Sequence, residues 1–198
     1  MRRSLARVAL LAAIGVGWHP SASAQRGRQL EALPEVPEHL ALVPTDVAGR
    51  MLELAGVTKT DVVYDLGCGE GRIAILAAKM YGARAVGVDT DPNRIARATA
   101  AAEAEGVSTL VRFATADRID LSEASVVTMS IPQSAAWLTR NELVHPTLTR
   151  QLKAGARIVT NFVAGSMKGV RPARVDQFTD ARGSARAILY LWLLPLPS

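Results

Sequence analysis

Cysteine is nearly absent from this chain: Cys68 stands alone among 198 residues. One cysteine cannot close an intramolecular disulfide, so the fold must rest on its core. Histidine is almost as scarce. His19, His39 and His145 lie far apart, with no partners at ligand spacing, so no metal site is expected. Aromatic residues make up only 5% of the chain and do not interleave with clustered basic residues, as a nucleic-acid footprint would require. Arg171, Arg174, Arg182 and Arg186 are scattered and read as a solvated face. The apolar run from Val8 to Trp18 is too short to span a bilayer, which takes about 20 residues. No internal repeat is visible.

That short run nevertheless has a reading. Arg2, Arg3 and Arg7 precede it as a basic region, and Ala22-Ser23-Ala24 supplies small residues after it. The pattern is that of a secretory signal peptide, residues 1–24, cleaved after Ala24. Its removal lowers the formal net charge from +5 to +2. The mature chain is then expected to be exported and periplasmic, without a transmembrane span; the alternative is an uncleaved N-terminal membrane anchor. Residues 25–42, marked by Pro34 and Pro37, read as an extended arm. Residues 43–198 are enough for one domain.

The densest signal is Val62-Val63-Tyr64-Asp65-Leu66-Gly67-Cys68-Gly69-Glu70-Gly71-Arg72. It reads as a buried strand, an acid, alternate glycines and the start of a helix. Glycine lets a backbone turn tightly and approach a ligand closely, and the helix that follows points its amides at the same place. The spacing is G-x-G-x-G; the dinucleotide fingerprint is G-x-G-x-x-G, and Arg72 stands where its last glycine would be. Asp65 would repel a pyrophosphate but suits an ammonium group. Both features disfavour a nicotinamide dehydrogenase. A second apolar run ends at Asp89, 22 residues beyond Gly67, where an acid can bind ribose hydroxyls. A third strand ends near Asp117. Cys68, between two glycines and with no histidine close in sequence, reads as a small filler and not a nucleophile.

Strands are expected near 62–66, 85–89, 110–114, 125–131 and 156–163, with a closing hairpin near 174–179 and 186–194. Helices are expected at Thr45–Ala55, capped by Thr45 or Asp46, and near 72–81, 92–105 and 135–152. Asp91, before Pro92, reads as a helix N-cap, leaving Asp89 for the ligand. Trp137 and Trp192 read as packing residues, Trp137 alternatively as lining a cleft, and His145 as structural. The alternation implies an α/β fold: a Rossmann-like, doubly wound, mostly parallel sheet with a C-terminal antiparallel hairpin.

The D-x-G-x-G-x-G segment with its two downstream acids resembles the class I, seven-strand S-adenosylmethionine (SAM) methyltransferases. Val43-Pro44-Thr45, followed by Met51-Leu52-Glu53-Leu54-Ala55, adds a narrower likeness. It resembles bacterial relatives of the mitochondrial lysine methyltransferases that modify the adenine nucleotide translocase and the ATP synthase c subunit. The resemblance implies SAM as cofactor and a protein lysine as methyl acceptor. It implies that Asp65 serves the methionine ammonium end and Asp89 the ribose. Gly67, Gly69 and Gly71 would allow close approach, with Asp117 at the adenine; Thr45 and Ser130 complete the contacting set. In that group the V-P-T segment lies over the cofactor. Two departures stand out. Leu42 replaces the usual aromatic before V-P-T, and Met129-Ser130-Ile131-Pro132-Gln133 holds no obvious acid or aromatic. No side chain declares itself a general base, so no catalytic residue is assigned. A non-catalytic SAM-binding protein keeping the fold is the rival reading.

Overall fold

The computed structural model describes residues 43–115, 119–130, 150–161 and 171–194. The expected leader, arm, Asp117, Trp137, His145 and most of the helix expected at 135–152 lie outside them.

The first described helix, α1 (Thr45–Leu54), buries Val47, Ala48, Met51 and Leu52, pairs four residues apart on one face. Strand β1 (Val62–Leu66) is buried along its whole length, as a parallel strand covered on both faces must be. Helix α2 (Arg72–Tyr81) starts at Gly71 and stops at Gly82, both left-handed. Strand β2 (Arg84–Asp89) and helix α3 (Pro92–Ala104) follow, α3 capped by the Asp91 carboxylate accepting from the Asn93 amide at 2.8 Å. Then come β3 (Val111–Thr115), β4 (Val126–Met129), β5 (Arg157–Thr160), β6 (Arg174–Thr179) and β7 (Ala185–Leu193).

The described strands form one seven-stranded sheet in the order β3-β2-β1-β4-β5-β7-β6. Strands β1 to β5 pair in parallel, and β7 enters antiparallel between β5 and β6. The order reverses between β1 and β4, so the crevice at their carboxyl ends is the expected ligand site. Alternate residues divide two cores. Val63, Ala85, Val126, Val159 and Leu189 face α1 and α2. Tyr64, Leu66, Val86, Val127, Ile158 and Trp192 face the other way, among Leu121, Ala124 and Leu152. Trp192 is therefore a core residue, as expected. Among the described residues no helix is long and apolar enough to cross a membrane.

The amino ends of the strands are tied by charge. Asp61, just before β1, accepts from Ser125 Oγ at 2.7 Å, from the Thr58 amide at 2.8 Å and from the Arg157 guanidinium. Arg157 also donates to the carbonyls of Ala55 and Gly56 after α1. Burial pushes the Asp61 pKa up, but the hydrogen bonds from Ser125 and Thr58, with the charge of Arg157, outweigh it and hold it below the usual value.

One local expectation is corrected. The N-cap of α1 is Pro44, without a side-chain cap. Asp46 instead accepts a two-pronged pair from Arg186 at 3.0 and 3.3 Å, so Arg186 is exposed but engaged. A second fork joins Arg50 to Asp176 at 2.7 and 3.0 Å. These pairs dock α1 on the β6–β7 hairpin.

Candidate functional site

Three glycines carry the chain from β1 to α2 with positive φ: Gly67 at 78°, Gly69 at 55° and Gly71 at 78°. Cys68 and Glu70 between them keep ordinary backbone angles, and no described non-glycine residue has positive φ. The alternation therefore places glycine where only glycine is unstrained. The loop leans on β2, with the amides of Gly67 and Cys68 both donating to the Val88 carbonyl, at 2.8 and 3.0 Å.

The glycines have different duties. A Cβ on Gly67 would meet nothing within 4 Å, so Gly67 borders open space. A Cβ on Gly71 would lie 2.4 Å from the Phe113 ring and 3.0 Å from Ala98. Gly71 thus also serves close packing of loop, α3 and β3, a duty that the sequence reading had not assigned. Gly87, in β2 beside Phe113, has the same constraint at 2.4 Å. Phe113 is a shelf beneath the glycine loop. The sequence carried one signal of it: a glycine in the middle of the apolar run Ala85–Val88 marks close approach.

Asp65 and Asp89 converge on this loop from adjacent strands. Asp89 is buried, and its Oδ2 accepts from the Gly69 amide at 2.8 Å while Oδ1 accepts from the Asp91 amide at 3.0 Å. Asp91 takes the cap and leaves Asp89 for the ligand, as expected; Asp89 also braces the loop. A carboxylate has about four acceptor positions, so capacity remains. Arg94 Nη1 stands 4.0 Å from Oδ2.

Asp65 is deeper. Its Oδ1 accepts from Thr128 Oγ1 at 2.9 Å, across the register pair joining β1 to β4. Thr128 was missed in the sequence, although a lone polar residue in Val126-Val127-Thr128-Met129 was the available clue. Burial pushes the Asp65 pKa up to about 7; the Thr128 bond opposes this and the negative Asp89 adds to it. Cys68 packs beneath Gly87 and is buried. Burial, with the charges of Asp65 and Asp89, pushes its thiol pKa up, which makes it a poor nucleophile. Of the remaining expected contacts, Thr45 is exposed at the start of α1, Ser130 is half-buried just after β4, and Asp117 lies outside the described residues. Among those residues no cluster of His, Cys, Asp or Glu could hold a metal.

Two carboxyl groups beside one glycine loop are an acceptor set suited to a ligand bearing an ammonium group and vicinal hydroxyls. SAM carries both. This sheet order with this loop defines a class I methyltransferase.

Comparison with known proteins narrows that class. A family model described as the ANTKMT methyltransferase domain matches residues 65–173. A protein-lysine N-methyltransferase of Saccharolobus islandicus is 38% identical over 161 residues, covering 79% of this chain and 94% of that protein. A ribosomal protein L11 methyltransferase of Symbiobacterium thermophilum is 30% identical over 140 residues, but the match spans 40% of its length. The crystal structure of an RNA methyltransferase from Salinibacter ruber, bound to S-adenosylhomocysteine (SAH), is similar at a TM-score of 0.64 and 38% identity. The match covers 78% of this chain and 94% of that one. The chain belongs to the ANTKMT methyltransferase-domain family. It is a SAM-dependent methyltransferase.

Proposed function

We propose that the protein transfers the methyl group of SAM to a lysine amine of a protein. The observation that carries this is the 38% identity to a protein-lysine N-methyltransferase along 94% of that relative's length. The sulfonium supplies an activated methyl: the S–CH3 bond breaks as the N–CH3 bond forms, and the sulfur leaves as a neutral thioether. The protein's own residues bind and orient. In this reading Asp65 holds the ammonium, Asp89 the ribose hydroxyls, and Gly67 and Gly69 the close backbone contact. Asp117, Thr45 and Ser130 are further contacts. An acceptor lysine must arrive neutral, and a dry channel favours this by lowering its pKa.

The Salinibacter relative described as an RNA methyltransferase favours a second acceptor, RNA. Charge weighs against it. Arg50, Arg97, Arg157 and Arg186 are each engaged with a carboxylate, which leaves them poorly disposed to phosphates. Incubating the protein with tritiated SAM and cell fractions, followed by protease or ribonuclease, separates the two. Label lost to protease and recovered as methyl-lysine supports the proposal. Label lost to ribonuclease overturns it.

The basic and apolar segment before Gln25 supports export, with cleavage after Ala24 and a mature domain from residue 43 onward. Intact-mass measurement on protein from its native host checks this. A mass retaining Met1 to Ala24, with membrane association, would favour the anchored form.

A further inference from the structure

Arg72 is out of place by ordinary helix rules. It is the first residue of α2, and no acidic residue lies in that helix's first turn. A cation there opposes the helix dipole, whose positive end is the N-terminus. Its side chain accounts for the placement. The half-buried guanidinium turns back and donates through Nη1 to the Val43 carbonyl, 29 residues away in sequence.

Val43 begins the turn into α1. Val43 precedes Pro44, which restricts it to extended backbone, and Pro44 itself is extended at φ −59°, ψ 146°. The Pro44 carbonyl then accepts the first helical bond of α1, from the Ala48 amide at 2.9 Å. One side-chain hydrogen bond thus joins the residue that follows the glycine loop to the residue that aims α1. The body of α1 is held separately, by Arg50 on Asp176 and by Arg186 on Asp46. The Arg72 contact ties the Val43 carbonyl to the start of α2.

We infer that Arg72 is a positioning residue that couples occupancy of the glycine loop to the placement of Val43–Thr45, the segment that includes Thr45. A ligand that orders Gly67–Gly71 fixes the start of α2, and through Arg72 it fixes the Val43 carbonyl. The inference rests on the cofactor site assigned above to this loop.

Hydrogen exchange on the full chain, with and without SAH, tests it. In the wild-type protein SAH should slow exchange along Gly67–Arg72 and, by about tenfold, at the Ala48 amide, whose partner is the Pro44 carbonyl. Arg72→Ala should bind SAH within about tenfold of wild type, because the guanidinium is engaged with the Val43 carbonyl. It should keep the protection in the loop and lose the protection at Ala48. Arg72→Lys, able to supply one N–H to the same carbonyl, should restore part of it. The separate forks on α1 should keep these variants folded. Persistent protection at Ala48 in Arg72→Ala would overturn the inference, as would an SAH affinity lowered by more than about tenfold, which would make Arg72 a ligand contact. Loop protection without any at Ala48 in the wild type would also overturn the coupling, leaving the site assignment intact. Absence of protection in the loop itself would overturn that assignment and the coupling with it.

Discussion

At the scale of single residues, Asp65 and Asp61 make opposite demands of pH. Unfolded, the Asp65 carboxyl ionises near 3.8; folded, burial holds its proton up to about 7. Between these values the folded state binds more protons, so this residue makes ligand-free stability fall as pH rises through the window and level off above it. Asp65→Asn should flatten that slope in urea melts. The cofactor ammonium needs the ionised form, so SAH affinity should fall as pH drops below about 7, by at most about tenfold per pH unit. Calorimetry across the window checks this; a flat profile would remove Asp65 from the ammonium site. Asp61 has the reverse sign. Its folded pKa is lowered, so its contribution is present above the usual 3.8 and is lost as pH falls through the folded value. Glycines divide just as sharply. Gly67→Ala, with open space ahead of it and φ at 78°, should reduce SAH affinity more than ligand-free stability. Gly87→Ala drives a methyl into Phe113 and should cost about 1–3 kcal/mol of stability. Adding Phe113→Leu should recover part of it, read by denaturant midpoints.

At the scale of elements, α1 is the piece most dependent on distant partners. Arg157→Ala leaves Asp61 buried without its cation and frees the carbonyls after α1. A loss of about 2 kcal/mol is expected, below the figure for a fully buried pair because Arg157 is partly exposed. Chemical denaturation measures it, and an unchanged midpoint would show that Ser125 and Thr58 suffice. This dependence also explains what could be read in advance. Strand β1 at Val62–Leu66 and helix α2 at Arg72–Tyr81 have the expected bounds, because apolar runs punctuated by glycine are local signals. The cap of α1 was misread because Asp46 turns to Arg186, 140 residues away. Strand β4 was expected from residue 125 and begins at Val126, although the Ser125 amide still donates to the Val62 carbonyl while its hydroxyl binds Asp61. Asp65 and Asp89 were legible as an acid pair flanking glycines. Thr128 and Phe113 left only indirect clues, a polar residue and a glycine within apolar runs, because their roles arise from strand register, which no local spacing encodes.

At the scale of the whole molecule, the sheet separates its tasks by end. Charge ties the amino ends of β1, β4 and β5 through Asp61 and Arg157, while the carboxyl ends of β1 and β2 present Asp65, Asp89 and the glycine loop. The grip proposed there has a kinetic consequence. Asp65 and Asp89 are assigned to the ammonium and the ribose, and these groups are identical in SAM and in SAH. Neither carboxylate is assigned a contact with the methyl; its loss reaches them only as the loss of the sulfonium charge. Spent cofactor should therefore compete with fresh cofactor on nearly equal terms, with an inhibition constant for SAH within about tenfold of the dissociation constant for SAM. Competition calorimetry with both ligands measures the ratio. Turnover then depends on how quickly the surroundings take SAH away.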